Sequence, residues 1–290
     1  MPYKTIITCE KALQEIDQPG WVFVDCRANI ARPDYGHRVF REAHLPDAVY
    51  ASLDDDLSAP IVPGSTGRHP LPSKEDLAAL FGRLGISNST QVVVYDEQAG
   101  QMAAARLWWL LKWAGHEAVA VLDGGMARWR ELGYPVESGE HHSTATVFRA
   151  DFQDRLLCRA DDVADLLNDT ATALVDSRAA ERYRGENVTL DPVAGHIPGA
   201  VNAPFSETIE GDGTLKPLLL LQEHFGRKGI TSDRNPIFYC GSGVTAALNI
   251  LAYLHAGMGM PRLYAGSWSD WITDESRPVA TGDEVSGGKS

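Results

Sequence analysis

The chain of 290 residues contains two copies of one series of motifs, and this internal repeat constrains its fold more than any other feature of the sequence. The copies of each motif follow in the same order in both halves. The paired motifs are Asp25-Cys26-Arg27 and Asp176-Ser177-Arg178, His44-Leu45-Pro46 and His196-Ile197-Pro198, Val94-Tyr95-Asp96 and Phe238-Tyr239-Cys240, and Asp123-Gly124-Gly125 and Ala265-Gly266-Ser267. One match could arise by chance, but four matches in one order indicate a duplicated domain.

Each half alternates short β-branched segments with helical patterns, the clearest of which cover residues 77–84, 103–114 and 245–256. This alternation is typical of an α/β domain with a mainly parallel sheet flanked by helices. A polar, turn-rich stretch separates the halves and suits a linker. We therefore predict an N-terminal domain over residues 1–140, a linker over 141–155, a C-terminal domain over 156–280 and a disordered tail over 281–290.

Charge and hydropathy exclude two classes of partner. The chain has 26 Lys and Arg against 39 Asp and Glu, a net charge of −13, whereas nucleic-acid-binding proteins need a basic face that displaces counterions. No stretch reaches the roughly 18 uninterrupted apolar residues of a membrane span. Charged Glu10 and Lys11 come before any apolar core of a secretory signal could form. We expect a cytoplasmic protein that binds neither nucleic acid nor membrane.

The four cysteines lie far apart in the sequence and include no Cys-x-x-Cys pair. This spacing argues against a disulfide framework and against a zinc site. If the chain uses cysteine chemistry, we expect it to involve a single reduced thiol. Cys26 and Cys158 have no glycine-rich surroundings and are interpreted as inert.

Cys240 has the most informative surroundings, because it follows a buried-type strand and precedes the glycine-rich turn Gly241-Ser242-Gly243 and a helix. Two glycines allow successive amides to point inward as an anion nest, and a helix N-terminus adds positive potential. Such surroundings lower the pKa of a thiol. The alternative is that Cys240 is a small buried hydrophobic residue, as most free cysteines are.

Three other enzyme classes can be tested against the residues at fixed distances from Cys240 and Ser242. A cysteine-dependent phosphatase needs an arginine six residues after the nucleophile to hold the phosphoryl oxygens, and this position holds Ala246. A serine hydrolase elbow needs glycine two residues before the serine, where this chain has Cys240. A Cys-His peptidase stays open, because its histidine can come from anywhere in the chain.

With these paired motifs, the chain resembles the tandem-domain rhodanese (sulfurtransferase) family over nearly its whole length. The resemblance implies two rhodanese-like domains, with the catalytic cysteine in the second and an inactive first domain that contributes residues to the site. Asp96 then occupies the position equivalent to Cys240. The loop that follows Cys240 is most similar to that of the 3-mercaptopyruvate sulfurtransferases. No metal or organic cofactor is implied, only a small-molecule sulfur donor and an acceptor such as thioredoxin, another thiol or cyanide.

The resemblance also implies a Ser-His-Asp arrangement that assists Cys240. Ser242 matches the serine of the loop. His69 matches a histidine that precedes a short proline-containing stretch, and Asp54 matches the acid, although Asp55 and Asp56 are adjacent alternatives.

For the substrate, the resemblance implies carboxylate binding by Arg182, for which Arg184 is an alternative, and contacts from loop residues Gly241, Gly243, Val244 and Thr245. A second arginine is usual in these enzymes, but its position holds Thr189. This departure puts substrate affinity, and with it substrate choice, in question.

The charge of the loop bears on the donor independently of the resemblance. No Lys or Arg stands between Cys240 and Thr245, so a monoanionic carboxylate suits the loop better than dianionic thiosulfate. We expect sulfur transfer from 3-mercaptopyruvate through a Cys240 persulfide, with release of pyruvate. The alternatives are a thiosulfate:cyanide sulfurtransferase, a non-catalytic persulfide carrier and a redox sensor.

Overall fold

The computed structural model describes residues 1–167, 169–186 and 190–283. These residues form two compact units. Unit 1 comprises Met1–Ala59, Leu71–Asp154 and Ile209–Lys216, and unit 2 comprises Pro60–Pro70, Arg155–Thr208 and the chain from Pro217 onward.

Unit 1 is built on a five-stranded parallel sheet in the order β1-β5-β4-β2-β3. The β-branched strand β4 lies in the middle and is buried along its whole length, as expected of a parallel sheet covered on both faces. The strands are β1 (Ile6–Ile7), β2 (Trp21–Asp25), β3 (Val49–Tyr50), β4 (Gln91–Tyr95) and β5 (Val119–Leu122). The helices are α1 (Cys9–Glu15), α2 (Tyr35–Glu42), α3 (Lys74–Arg83), α4 (Ala104–Trp113) and α5 (Gly125–Glu131).

Unit 2 repeats this arrangement with a five-stranded parallel sheet in the order β6-β10-β9-β7-β8. Its strands are β6 (Leu157–Cys158), β7 (Leu174–Asp176), β8 (Val201–Asn202), β9 (Ile237–Tyr239) and β10 (Arg262–Tyr264). Its helices are α6 (Ala160–Asp165), α7 (Ala180–Tyr183), α8 (Leu218–Arg227), α9 (Ala246–His255) and α10 (Ser267–Trp271). The two sheets have the same strand order, so the predicted α/β fold with two parallel-sheet domains flanked by helices is confirmed.

Local sequence signals explain where the main helices begin. The Ser73 side chain accepts a hydrogen bond from the Asp76 amide, which caps α3 one turn before the predicted apolar pattern. Helices α4 and α9 follow β4 and β9 directly, as the patterns at 103–114 and 245–256 predict. No helix within the described ranges is both long enough and apolar enough to span a bilayer.

The repeated motifs hold equivalent places in the two units. The Arg27 guanidinium donates to Asp25 with an Nη2–Oδ2 distance of 2.7 Å, and Arg178 donates to Asp176 at 2.6 Å. All four side chains are buried. Each arginine also donates to a backbone carbonyl about a dozen or more residues away, that of Val39 or of Gly195, so the pairs tie loops to strand ends. They are therefore structural ion pairs.

The compact units depart from the predicted ranges 1–140, 141–155 and 156–280 in three segments. Pro60–Pro70 belongs to unit 2, where the Arg68 amide donates to Ser269 Oγ at 3.0 Å. Ile209–Lys216 belongs to unit 1, where the Leu215 amide donates to Asp123 Oδ1 at 2.8 Å.

The third segment is most of the predicted linker. Residues 141–154 follow the surface of unit 1, with the Thr146 amide bonded to the Gly82 carbonyl at 2.9 Å and the Phe148 ring packed edge-on against Phe81. These contacts make the segment part of unit 1 rather than a free connection. At the start of the predicted tail, the Gly282 amide donates to the Arg184 carbonyl at 2.9 Å. Residues 284–290 lie outside the described residues, and the disorder expected of the tail stays a prediction.

Candidate active site

Cys240 lies at the carboxyl end of β9, where the chain turns through Gly241-Ser242-Gly243 into α9. Its residue is buried, with 1% of its surface exposed. The Cys240 amide donates to Ser267 Oγ at 3.0 Å, and the Cys240 carbonyl accepts from the Trp268 amide at 3.0 Å. The start of α10 therefore fixes both the amide and the carbonyl of Cys240.

The loop presents hydrogen-bond donors to the Cys240 sulfur. The Gly243 amide lies 3.2 Å from Sγ, and the Thr245 hydroxyl and the amides of Ser242 and Ala246 also donate to it. Burial raises the pKa of Cys240, but these hydrogen bonds to the thiolate outweigh it, so that the pKa is lower than that of an ordinary thiol. This is the anion nest that the glycine-rich sequence predicts.

The two glycines of the loop are needed for different structural reasons. Gly243 has a φ of +78°, and a methyl group on it would lie 2.0 Å from the Ala265 carbonyl oxygen. At Gly241 the nearest neighbours are side-chain atoms, because a methyl group there would lie 2.8 Å from Arg68 Nη2 and 2.9 Å from Arg182 Nη2. Gly243 thus allows the turn, and Gly241 allows two guanidinium groups to approach the loop.

Ser242 and His69, two members of the arrangement that the resemblance implies, are in direct contact. Nδ1 of His69 lies 2.8 Å from Ser242 Oγ, and both residues are buried at 6% exposure. His69 comes from the first half of the sequence, but its segment belongs to unit 2. The contact gives a hydroxyl next to the cysteine and an imidazole that can exchange a proton with it.

Arg182 approaches the loop from α7, and a second arginine, Arg68, approaches from the segment that carries His69. Both guanidinium groups donate to the carboxylate of Asp191, Arg68 through Nη1 to Oδ1 and Arg182 through Nη2 to Oδ2. Burial raises the pKa of Asp191, but its hydrogen bonds with the two arginines outweigh this, and the pKa is lowered. Thr189, which occupies the usual place of the second arginine, lies outside the described residues.

Asp54 belongs to unit 1. Burial, followed by repulsion from Asp55, raises the pKa of its carboxyl group. Its predicted role beside His69 stays a prediction.

Unit 1 has the same nest at Asp96, which follows β4 as Cys240 follows β9. The carboxylate accepts amide hydrogen bonds at 2.9–3.3 Å, on Oδ1 from Gln98 and Gly100 and on Oδ2 from Met102 and Ala104. The nest of unit 1 is thus filled by a side chain that has no nucleophilic sulfur.

The remaining cysteines have the opposite electrostatic environment from Cys240. Burial raises the pKa of Cys9 to about 12, and it also raises the pKa of Cys26 and of Cys158. Nearby carboxylates add to the increase for Cys26. Cys240 is therefore the cysteine whose surroundings favour the thiolate.

The structure brings together in unit 2 all the predicted site residues except Asp54. Sequence reasoning missed Arg68 and Asp191, although Arg68 immediately precedes the predicted His69. The sequence signal that could have identified Arg68 is its position next to His69, because a segment that brings the histidine to the loop also brings its neighbour.

Comparisons with known proteins identify the family of the chain. The model of the rhodanese-like domain matches the chain twice, over residues 8–132 and 159–274. A probable 3-mercaptopyruvate sulfurtransferase of Pseudomonas aeruginosa is 43% identical over 281 residues, which cover 96% of this chain and 98% of that protein. A thiosulfate sulfurtransferase of Gallus gallus is 35% identical over 236 residues, 80% of each chain. Among solved structures, the 3-mercaptopyruvate sulfotransferase SseA of Escherichia coli has a TM-score of 0.81 at 30% identity and covers 92% of this chain and 100% of that one.

The two family matches coincide with the two copies of the motif series, and the second contains the Cys240 loop. The resemblance inferred from the paired motifs is confirmed, as is the expectation of an enzyme that transfers sulfur between a donor and an acceptor. The chain therefore belongs to the rhodanese family of sulfurtransferases.

Proposed function

We propose that the protein transfers sulfur from 3-mercaptopyruvate through a persulfide on Cys240. The Cys240 thiolate attacks the sulfur of the donor, so that an S–S bond forms and the C–S bond breaks. The electron pair of the C–S bond passes to carbon and gives the enolate of pyruvate. The proton of the donor thiol ends on that carbon, which leaves an anionic persulfide and pyruvate.

In the second half-reaction, a nucleophile removes the outer sulfur of the persulfide. A thiol acceptor, including that of a thioredoxin-like protein, becomes a persulfide, and cyanide becomes thiocyanate. In either case the S–S bond breaks and Cys240 leaves as a thiolate, which the amides of its nest stabilise. We propose the cytoplasm as the compartment, because a reducing environment supplies thiol acceptors and keeps Cys240 reduced.

The observation that carries the proposal is the group of hydrogen-bond donors around the Cys240 sulfur, in a loop that two guanidinium groups approach. A thiolate is the nucleophile that sulfur transfer requires. A guanidinium fork binds a carboxylate with two parallel hydrogen bonds, and the substrate name shared by several relatives is that of a keto acid.

Replacement of the nucleophile tests the proposal directly. Cys240→Ser should abolish pyruvate release from 3-mercaptopyruvate, and mass spectrometry of the wild type after exposure to the donor should find one added sulfur on Cys240. Cys158→Ser serves as the matched control and should keep both properties. Turnover by Cys240→Ser, or a persulfide on another cysteine, would exclude the mechanism.

We propose Ser242, His69 and Asp54 as the route for the proton. Ser242 and His69 are already within hydrogen-bond distance, and Asp54 is the acid that the resemblance implies for this route. Ser242→Ala and His69→Ala should each slow the first half-reaction about 10²–10⁴-fold, and the double variant should be little slower than either single one, because the two groups act together. Additive losses, or pyruvate release at the wild-type rate in Ser242→Ala, would contradict the route, and Asp54→Asn tests the third member separately.

Thiosulfate is the second candidate donor. Several relatives are named for it, and the two guanidinium groups beside Gly241 supply the positive charge that the loop sequence lacks. Steady-state assays of pyruvate from 3-mercaptopyruvate and of thiocyanate from thiosulfate and cyanide separate the two. We expect the larger kcat/KM with 3-mercaptopyruvate. Slow turnover of both donors with ready acceptance of sulfur from a persulfide would instead favour a carrier, and faster sulfenic acid formation than sulfur transfer would favour a redox sensor.

A further inference from the structure

Residues 60–70 carry His69, and we call them the His69 segment. The segment belongs to unit 2, and the described structure assigns it no helix or strand. Residues 61–65 are exposed, whereas Gly67 and His69 are buried. His69 nevertheless keeps its Nδ1 atom 2.8 Å from Ser242 Oγ. Because no regular element holds the histidine, its position depends on individual contacts of the segment.

One serine connects the His69 segment with the loop of the anion nest. Ser269 lies in the first turn of α10, and its Oγ accepts a hydrogen bond from the Arg68 amide at 3.0 Å. Its own amide donates to the Gly241 carbonyl at 2.9 Å. Arg68 directly precedes His69, and Gly241 directly precedes Ser242. Ser269 is therefore bonded to the chain neighbours of both residues that exchange the proton.

Gly67 allows the His69 segment to approach α10 closely. A methyl group on Gly67 would lie 2.6 Å from Ser269 Oγ and 2.8 Å from the Gly266 carbonyl oxygen. The second of these neighbours is backbone, which cannot move aside as the end of a flexible side chain can. The φ of Gly67 lies outside the left-handed region, so this glycine is needed for space rather than for a turn.

The equivalent turn of unit 1 separates the role of the Ser269 amide from that of its hydroxyl. In unit 1 the Ala127 amide donates to the Glu97 carbonyl at 3.0 Å, as the Ser269 amide donates to the Gly241 carbonyl. The amide bond is thus common to both copies, whereas the hydroxyl is present in the copy that has the cysteine. Since alanine supports the same backbone bond in unit 1, the turn itself does not need the hydroxyl.

We propose that Ser269 is a positioning residue of the proton route, whose hydroxyl holds the Arg68 amide so that the His69 imidazole stays within hydrogen-bond distance of Ser242. In the described structure this hydroxyl bonds to the Arg68 amide and is not one of the donors to the Cys240 sulfur. Ser269 therefore acts through His69. The inference rests on the proposed function, because it assigns a residue to the proton route of that reaction.

Ser269→Ala removes the hydroxyl, keeps the amide and gives the residue that unit 1 has at this place. It should slow pyruvate release about 10–100-fold, because a small misplacement of a catalytic group has an effect of this size. The Cys240 thiolate should titrate as in the wild type, since its donors stay in place. A wild-type rate in Ser269→Ala, or a raised pKa of Cys240, would exclude a role through His69 alone and overturn the inference.

A double variant tests whether the effect passes through His69. In a His69→Ala background, Ser269→Ala should change the rate less than about twofold, because the group that it positions is already absent. A merely structural loss would multiply with that of His69→Ala. Multiplied losses would therefore refute the positioning role.

Ser73→Ala is the matched control for Ser269→Ala. The Oγ of Ser73 also accepts one backbone amide hydrogen bond at 3.0 Å, from Asp76 at the start of α3. Its removal should lower the free energy of unfolding and leave pyruvate release at the wild-type rate. Equal slowing in Ser73→Ala and Ser269→Ala would assign the effect to lost stability and contradict the inference.

Gly67→Ala tests the close approach from the other side. Its Cβ should push the His69 segment away from α10 and slow pyruvate release as Ser269→Ala does. Gly211→Ala is the control, because a methyl group there has no neighbour within 4 Å and its φ also lies outside the left-handed region. Wild-type activity in Gly67→Ala would show that the close approach does not position His69.

Deuterium exchange of backbone amides tests the same contact without sulfur transfer. In Ser269→Ala the Arg68 amide should exchange at least about tenfold faster than in the wild type, because it loses its acceptor. Ser73→Ala should leave this amide unchanged. Equal exchange of the Arg68 amide in Ser269→Ala and the wild type would overturn the inference. A wild type that releases no pyruvate would instead overturn the proposed function, and the variants are not needed to recognise that outcome.

Discussion

At the scale of single residues, the site depends on a balance at one sulfur atom. Burial of Cys240 disfavours its thiolate, and four hydrogen-bond donors from the following six residues reverse that effect. The sequence could predict these donors because they are local: glycines and a helix start directly after the cysteine. The sequence could not predict that Arg68 and Asp191 are in contact near the loop, because this contact depends on how distant segments pack in unit 2.

Thr245 supplies the only side-chain donor among the groups that lower the pKa of Cys240 in the described structure. Loss of a hydrogen bond to a charged group costs about 1.5–3 kcal/mol, so Thr245→Val should raise that pKa by roughly one to two units. Since the thiolate is the reactive form, the first half-reaction is lost as pH falls through the pKa, and the variant should lose activity at a higher pH than the wild type. The pH dependence of ultraviolet thiolate absorbance, with Cys240→Ser subtracted, measures the shift.

Thr245→Ser keeps the hydroxyl group and is the control for this change. It should titrate like the wild type. Equal pKa values for the Val and Ser variants would show that the hydroxyl does not stabilise the thiolate.

At the scale of elements, the segment from β9 through the loop to α9 was predictable because a strand of apolar and aromatic residues, two glycines and an apolar helix follow one another. The helical patterns at 103–114 and 245–256 differ from α4 and α9 by one residue at each end. The outer strands β1, β3, β6 and β8 have two residues each. Such short strands are defined by their pairing partners rather than by a pattern of their own, so the sequence did not indicate them.

The two loop glycines should respond differently to alanine. Gly243→Ala places a Cβ against the Ala265 backbone at positive φ, so the loop cannot keep its shape, and we expect a loss of about 1–3 kcal/mol in unfolding free energy together with loss of activity. Gly241→Ala meets only the ends of arginine side chains. It should leave the unfolding free energy nearly unchanged and raise KM for the donor.

Urea unfolding and steady-state kinetics on both variants measure these effects. A Gly241→Ala variant as unstable as Gly243→Ala would contradict the distinction between backbone and side-chain neighbours.

At the scale of the whole molecule, the duplication explains most of what the sequence predicted. Two units with one strand order, paired buried Asp-Arg ion pairs and equivalent loops at Asp96 and Cys240 all follow from one repeated series of motifs. The motif series does not explain why Pro60–Pro70 belongs to unit 2 and Ile209–Lys216 to unit 1. Those segments have no equivalent in the motif series, and their place is decided by tertiary hydrogen bonds such as Arg68 to Ser269.

Asp96, whose carboxylate fills the nest of unit 1, should make folding stability depend on pH. Burial raises the pKa of Asp96 to about 7, against the lowering effect of its amide hydrogen bonds. A carboxyl group whose pKa is higher in the folded than in the unfolded chain stabilises most at acidic pH, and this contribution is lost as pH rises through about 7. Between pH 5 and 8, Asp96 should therefore reduce the unfolding free energy by roughly 2–3 kcal/mol.

Urea unfolding at both pH values measures the effect, and Asp96→Asn, which does not titrate, should show a smaller decrease. An equal decrease in the variant and the wild type would assign the pH dependence to other groups.

The four amides around Asp96 also show how a duplicated loop can hold a different central residue and keep its architecture. A turn whose amides converge needs an acceptor at its focus, and the backbone does not distinguish a reactive sulfur from an inert oxygen. An aspartate meets that need with atoms of the chain itself, so the loop of the first copy keeps its amide geometry without a cysteine. The common origin of the two copies is therefore visible in the backbone of this loop as well as in the repeated motifs.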